Sequence, residues 1–330
     1  MKNESCIKQK RFHYSMNEKR KFPFIIITLA IPLAHLLVFW VYVHFEAILL
    51  AFKDTTNPEL MNNWPLSFAS FQKVIEEIIS GSTQNGQRNL IVMLGKSVLL
   101  WTNLHVISNI ISLVTCFILT KHMIGSRLFR TIYYIPGIVG AVVFSTIMKE
   151  LYMADGVVTN LMVSLGVDLP VGAERGGLLS DVSTAFMTLF SQQFILGIAG
   201  GSMIIAGAYK RIPNEVFESA SLDGCGFFGQ AIKIAIPCAW PTISTLMVFS
   251  LCSIFICDIN LYLYSPEGSY GLESMGFFMY TLRVGLSNNP YNSWLYGYSS
   301  ALGILLTIIT IPVVYLGKWI LNKVSDNVEF

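Results

Sequence analysis

The chain has 330 residues, of which 53% are hydrophobic and only 13% charged. Soluble domains carry about 25% charged residues, so this composition excludes an ordinary soluble enzyme and points to a membrane protein. A net charge of +2 gives no ground for a nucleic-acid partner, and none is expected.

The first stretch, 1–21, is a polar, basic tail with Arg11, Lys19, Arg20 and Lys21 just before an apolar run over 22–52. That run is too long for a signal-peptide core and lacks a small-residue cleavage site, so it reads as a retained first span that Pro23 and Pro32 start or kink. A polar loop over 53–96 follows, with room for one short helix around 70–79. Further spans are expected at 97–119, 131–148, 184–208, 240–261 and 297–320, each near the ~20 residues that cross hydrocarbon. Residues 321–330 form a second polar tail. Backbone polar groups in lipid must pair internally, so the spans should be helices.

Six spans put both termini on one side of the membrane. That side, with the turn 121–130 and the loop 209–238, holds fifteen Lys and Arg against seven Asp and Glu. The rest of the chain holds seven against thirteen. The positive-inside rule therefore puts both termini and the loop in the cytoplasm, and leaves an acidic outer face.

The loop 209–238 is a polar, breaker-rich insert between apolar runs. Pro213 suits the first turn of a helix, and Glu215 and Glu218 suit the positive end of its dipole. Phe217, Ala220 and Ser221 share one face. Gly224 can stop the helix with a left-handed turn. A second short helix is expected from Phe227 to about Ala235, ended by Pro237. Such a bracket is too short to be stable alone and needs a surface to pack on. An amphipathic connector lying on the membrane would carry a similar pattern.

The loop also resembles the "EAA" loop of ABC importer permeases. Glu218-Ser219-Ala220-x-x-Asp223-Gly224-Cys225, followed by Ile234-x-Ile236-Pro237, matches its Glu-Ala-Ala-x-x-Asp-Gly-Ala and Ile-x-Leu-Pro pattern. Ala51-Phe52-Lys53-Asp54, Arg130 with Ile135-Pro136, Gly156-x-x-x-Asn160 with Leu165-Gly166, and Tyr296 to Leu302 resemble the carbohydrate-type branch. Ser219 and Cys225 replace alanines with small residues, Ala231 replaces a usual aromatic, and 264–268 replaces the family's Thr-x-Gly-Gly-Pro turn.

The resemblance implies an all-α membrane protein with six transmembrane helices in the type I ABC importer permease (MetI-like) fold. It implies a multi-pass protein of a bacterial plasma membrane that moves oligosaccharides or related sugars. Its implied partners are a second homologous permease, two copies of a cytoplasmic ATPase that use ATP and Mg, and an extracellular solute-binding protein. Pro213, Glu215, Glu218, Ser219, Ala220, Asp223, Gly224, Cys225 and Pro237 would form the ATPase-coupling surface. A polyol, a glycerol phosphate or a peptide stays open as cargo, as does a secondary transporter.

No catalytic residue, metal site or cofactor of the chain's own is expected. Gly95-Lys96-Ser97 resembles the end of a P-loop, but Leu90 stands where its first glycine is required. The six cysteines have no ligand spacing. His35, His44 and His105 read as packing residues. The ionisable group deepest in a span is Asp258, a candidate for the solute pathway or for helix pairing. Sugar-type chemistry is offered by Trp101, Asn103, Asn109, Tyr134, Gln192 and Tyr264, and with Asp258 the pathway candidates are Asn260, Tyr262, Tyr133 and Gln193. Aromatic residues at span ends equally suit interfacial belts. Gly197 and Gly201 form a GxxxG pair suited to close helix contact.

Overall fold

A computed structural model of the chain describes residues 16–57, 64–81, 89–121, 125–257, 261–264, 273–288 and 292–325. Among these residues the architecture is helical, with one isolated antiparallel bridge from Lys53 to Leu66. In chain order the helices are α1 (Pro23–Ala51), α2 (Ala69–Ser80), α3 (Leu90–Thr120), α4 (Ser126–Ile138) and α5 (Ala141–Leu151). Then come α6 (Val157–Ser164), α7 (Val171–Gly176), α8 (Val182–Tyr209) and α9 (Asn214–Leu222). The last four are α10 (Phe227–Leu251), α11 (Leu261–Tyr264), α12 (Met275–Asn288) and α13 (Trp294–Ser325). Among the described residues α1, α3, α8, α10 and α13 are long and apolar enough to cross a membrane.

The expected span 131–148 is a broken one. Helices α4 and α5 meet at 104°, and count as a sixth crossing only when taken together. Val139 and Gly140 both take extended backbone and end the first helix, while Pro136 is accommodated inside α4. The apolar composition runs on across the break, which is why hydropathy reads one span there.

The expected span 240–261 is also shifted. Helix α10 runs from Phe227 to Leu251 without interruption, so Pro237 does not end a short helix but sits inside a long one. The turns over Ala231–Ala235 are π-helical. Such turns leave out the i→i−4 bond that proline cannot donate, so the helix passes Pro237 intact. Helix α3 starts at Leu90, ahead of the expected 97, because the Asn89 carboxamide oxygen accepts from the amides of Ile91 (2.9 Å) and Val92 (3.3 Å). That is an N-cap in the usual geometry. Helix α8 is capped in the same way by Asp181, which accepts from the Ser183 amide at 2.9 Å. The Ser183 hydroxyl and amide together hold the Asp181 carboxyl below its ordinary pKa.

At the centre of the bundle α8 packs on α3 through a ladder of polar side chains. Asn103 donates to the Phe190 carbonyl (3.1 Å), Ser108 to Phe194 (3.4 Å), Ser112 to Ile198 (2.6 Å) and Cys116 to Ser202 (3.3 Å). The acceptors fall every four residues, one turn apart, so the two helices stay in register along their length. Bonds of this kind and small residues hold helices together where lipid removes the hydrophobic drive. Gly197 sits at the tightest point: a Cβ there would lie 2.5 Å from the Ser108 hydroxyl and 2.7 Å from the Leu104 carbonyl.

At the end of the bundle away from α9, a second core ties α1, α2 and α13 together. Tyr298 donates to the buried Glu77 carboxylate. Ser293 donates to the Thr55 carbonyl at 2.6 Å, and the Gly297 amide donates to the Thr55 hydroxyl at 3.2 Å.

Candidate functional site

Helix α9 and the start of α10 form a closed bracket at one end of the bundle. Pro213 precedes the first turn in extended backbone and acts as the N-cap, one residue earlier than the first-turn position expected for it. Glu215 follows in the first turn. At the other end Gly224 has φ of +80°. The Cys225 amide reaches back to Ala220 (2.9 Å) and the Gly224 amide to Ser221 (3.1 Å). This pair of bonds is the Schellman arrangement, whose left-handed position favours glycine.

One face of α9 packs inward. The Phe217 ring lies 6.0 Å from Phe117 at the end of α3, and Phe117 lies 5.1 Å from Phe227. Cys225 is half-buried, and a Cβ on Gly229 would lie 2.8 Å from its sulfur, so the bracket closes tightly. Ala231, where an aromatic is usual, is buried beside this cluster. The opposite face is open: Glu215, Glu218, Ser219 and Asp223 are exposed, and Leu222 is 90% exposed. An exposed apolar residue ringed by carboxylates at a helix end suits a partner with an apolar socket and basic rim. Beside it, a pocket of about 590 Å³ is lined by Arg211, Ile212, Pro213, Val216, Lys233 and Cys238, among others.

The described pathway candidates Tyr133, Gln193 and Tyr262 sit in different surroundings. Tyr133 lies with its hydroxyl 3.3 Å from Ser112 and 3.4 Å from the Ile198 carbonyl. Gln193 is buried in α8, beside a Gln192 that accepts from Tyr264 and donates to Ser145 at 3.5 Å. Tyr262 packs on Tyr280 with ring centroids 4.8 Å apart. Asp258 and Asn260 lie outside the described residues.

A cleft of about 450 Å³ opens elsewhere, between α3, α8 and α10. Leu104, His105 and Asn109 come from α3, Gly197, Gly200, Gly201 and Ile204 from α8, Leu246, Phe249 and Ser250 from α10, and Ser253 from the turn that follows it. Tyr133, Gln193 and Tyr262 do not line it. Its α8 residues Gly197 to Ile204 lie in the second half of that helix, roughly 8–18 Å from the Tyr209 end at 1.5 Å per residue. The π-helical turns Thr102–Ile107 rotate His105 and Asn109 toward it, a distortion frequent at functional sites. Trp101 braces the wall by donating to the Ser250 carbonyl at 2.8 Å. Asn109 and His105 are legible as polar residues within a span and Gly200 as one of the small residues of its helix, whereas Ser250 and Ser253 are not. The signal for the cleft was faint: Gly197, Gly200, Gly201 and Ile204 repeat at one helical face, and Ser250 and Ser253 stand one turn apart.

No family model matches the chain. In structure it superposes on a chain of a bacterial ABC transporter involved in the import of the acidic polysaccharide alginate. The TM-score is 0.72 and identity 18%, over 94% of this chain and 98% of that one. The fold is that of an ABC importer permease. In sequence the chain is similar to the probable ABC transporter permease protein YesP of Bacillus subtilis, 28% identical over 59% of the chain and 60% of the relative. It is also similar to the diacetylchitobiose uptake system permease protein NgcF of Streptomyces coelicolor, 23% identical over 62% of the chain and 56% of the relative. The chain thus spans about three-fifths of the length of these curated relatives. A shorter match, 30% identical over 38% of the chain and 43% of the relative, is to the lactose transport system permease protein LacF of Rhizobium radiobacter. Within a permease fold, the bracket of α9 lies at one end of the bundle and the cleft between its long helices.

Proposed function

We propose that the chain is a permease subunit of an ATP-driven ABC importer, and that its cargo is an oligosaccharide or related sugar. The observation that carries the reading is the bracket: a short helix pinned to the bundle by one face and presenting Glu218, Leu222 and Asp223 on the other. In this reading both termini and the bracket are cytoplasmic, in the type I (MetI-like) arrangement. Helix α9 seats in a groove of the ATPase. A second permease, two ATPase copies that bind ATP and Mg, and an external solute-binding protein complete the assembly. Relatives named for lactose and diacetylchitobiose uptake support a sugar cargo.

ATP-driven closure of the ATPases moves α9, and the bundle has two packings whose balance that movement biases. The cleft between α3, α8 and α10 is the part of the solute pathway this chain supplies. Among the described residues its lining offers amide, hydroxyl and imidazole groups and no Asp, Glu, Lys or Arg. Such a wall suits hydroxyl-rich neutral sugars, since a charged cargo in a low-dielectric cleft needs a counter-charge.

The test is uptake into vesicles holding the purified complex, with its binding protein, across a panel of neutral and uronic-acid oligosaccharides. The expected result is ATP-dependent accumulation of a neutral oligosaccharide. Accumulation that persists without ATP would make the protein a secondary transporter.

A further inference from the structure

We propose that Lys121 and Gln230 form a clasp that transmits the movement of α9 to the cleft. The proposal rests on the coupling role given to α9 above and adds the residues that carry the movement onward.

Gln230 is 6% exposed and stands at the start of α10. Its Nε2 donates to the Ser221 hydroxyl (2.7 Å) and to the Cys225 carbonyl (3.2 Å), with the Phe217 carbonyl at 3.5 Å. Those partners belong to α9 and its terminating turn. Its Oε1 accepts from the Lys121 ammonium at 3.0 Å. A glutamine offers two donor hydrogens and one acceptor oxygen, and here both functions are engaged, each toward a different element.

Lys121 is the residue that ends α3. Its ammonium also lies 4.0 Å over the Phe217 ring and 5.2 Å over the Phe117 ring. A cation over an aromatic face resists displacement in any direction across the ring. Arg130 adds a brace on the other side, donating to the Leu119 carbonyl and so fixing the end of α3 to α4. Burial pulls the pKa of Lys121 below the usual lysine value.

The joined elements are the ones that matter for the cleft. Helix α3, held by Lys121, carries Leu104, His105 and Asn109. Helix α10, with Gln230 in its first turn, carries Leu246, Phe249 and Ser250. Helix α8 is connected to α9 by only a few residues of chain. Through the clasp α9 therefore holds the ends of all three walls, and Asn109 lies roughly 18 Å from Lys121 along one continuous helix. Without Lys121 and Gln230, α9 keeps its covalent link to α8 and α10 and the Phe217–Phe117 ring contact, but loses its polar grip on α3.

The test uses the complete transporter purified through a tag on this chain, with Phe249→Cys as the reporter. Phe249 lines the cleft and is 72% exposed, so its thiol reacts with a maleimide at a rate read by peptide mass. With the clasp intact, ATP plus orthovanadate should change that rate at least about fivefold, the lower end of ordinary coupling between sites. Lys121→Met and Gln230→Ala should keep the ATPase on the column but abolish the response, and Lys121→Arg should restore it. A full response in both Lys121→Met and Gln230→Ala overturns the clasp. So does loss of the ATPase from the column in both, which would make the pair part of the docking surface. Glu218→Lys separates the two levels: it should strip the ATPase from the column. Retention of the ATPase with a full response would overturn the coupling role of α9, and the clasp with it.

Discussion

Helices α1 and α8 are both long enough to cross a membrane, yet they are used in opposite ways. Helix α1 is the most apolar of the five long runs, and no residue from 23 to 48 is buried. Helix α8 is the least apolar, and it is the most buried. In water the order would be reversed. In lipid, apolar side chains lose nothing by facing outward, and helices meet through small residues and hydrogen bonds. Gly197 of α8 and the carbonyls that accept from α3 are therefore the interior of this protein. The apolar surface of α1 is available to lipid or to other chains of the assembly.

This contrast can be broken by substitution. The largest effect is expected for Gly197→Leu, which must displace both the Ser108 side chain and the Leu104 backbone. It should cost about 3 kcal/mol, read as thermal unfolding of the purified chain. Leu189 of α8 is almost wholly buried, and Leu189→Ala should also cost about 3 kcal/mol. Leu37→Ala on exposed α1 removes the same atoms and should stay within about 0.5 kcal/mol. Equal costs for those two leucines would mean that the difference between α1 and α8 is not one of packing. Removing the α3 cap with Asn89→Ala should cost about 1 kcal/mol, visible as faster amide exchange in the first turn of α3. Of the changes to buried contacts the smallest effect, about 0.6 kcal/mol, is expected for Ser112→Ala, which removes one rung of the ladder to α8.

The parts legible in the sequence are those governed by local chemistry. Gly224, Pro213 and the carboxylates of α9 act on their own helix ends, and Phe217 and Ala220 turn inward as their spacing implies, while Ser221 beside them stays exposed. The helical spans were legible as apolar runs, but their ends and breaks were less so. The 104° turn between α4 and α5 hides inside an unbroken apolar stretch, because Val139 and Gly140 change direction without changing composition. Pro237 reads as a stop, yet π-helical turns upstream absorb its missing donor. The cleft was least legible, since its walls come from three helices far apart in the chain. Gln230 and Lys121 are separated by more than a hundred positions, and no spacing rule joins them.

The central claim is that the open face of α9 is where an ATPase docks. Its most direct test is the amount of ATPase that co-purifies with the tagged chain from membranes, compared between the unaltered protein and Glu218→Lys, with Gly224→Leu as a second variant. Glu218 is exposed and makes no part of the inward packing of α9, so its reversal of charge leaves the fold in place. Gly224 holds the left-handed turn that a leucine side chain strains. The account predicts at least about a tenfold loss of bound ATPase in both variants, equivalent to about 1.4 kcal/mol of docking. Undiminished ATPase in both would contradict it.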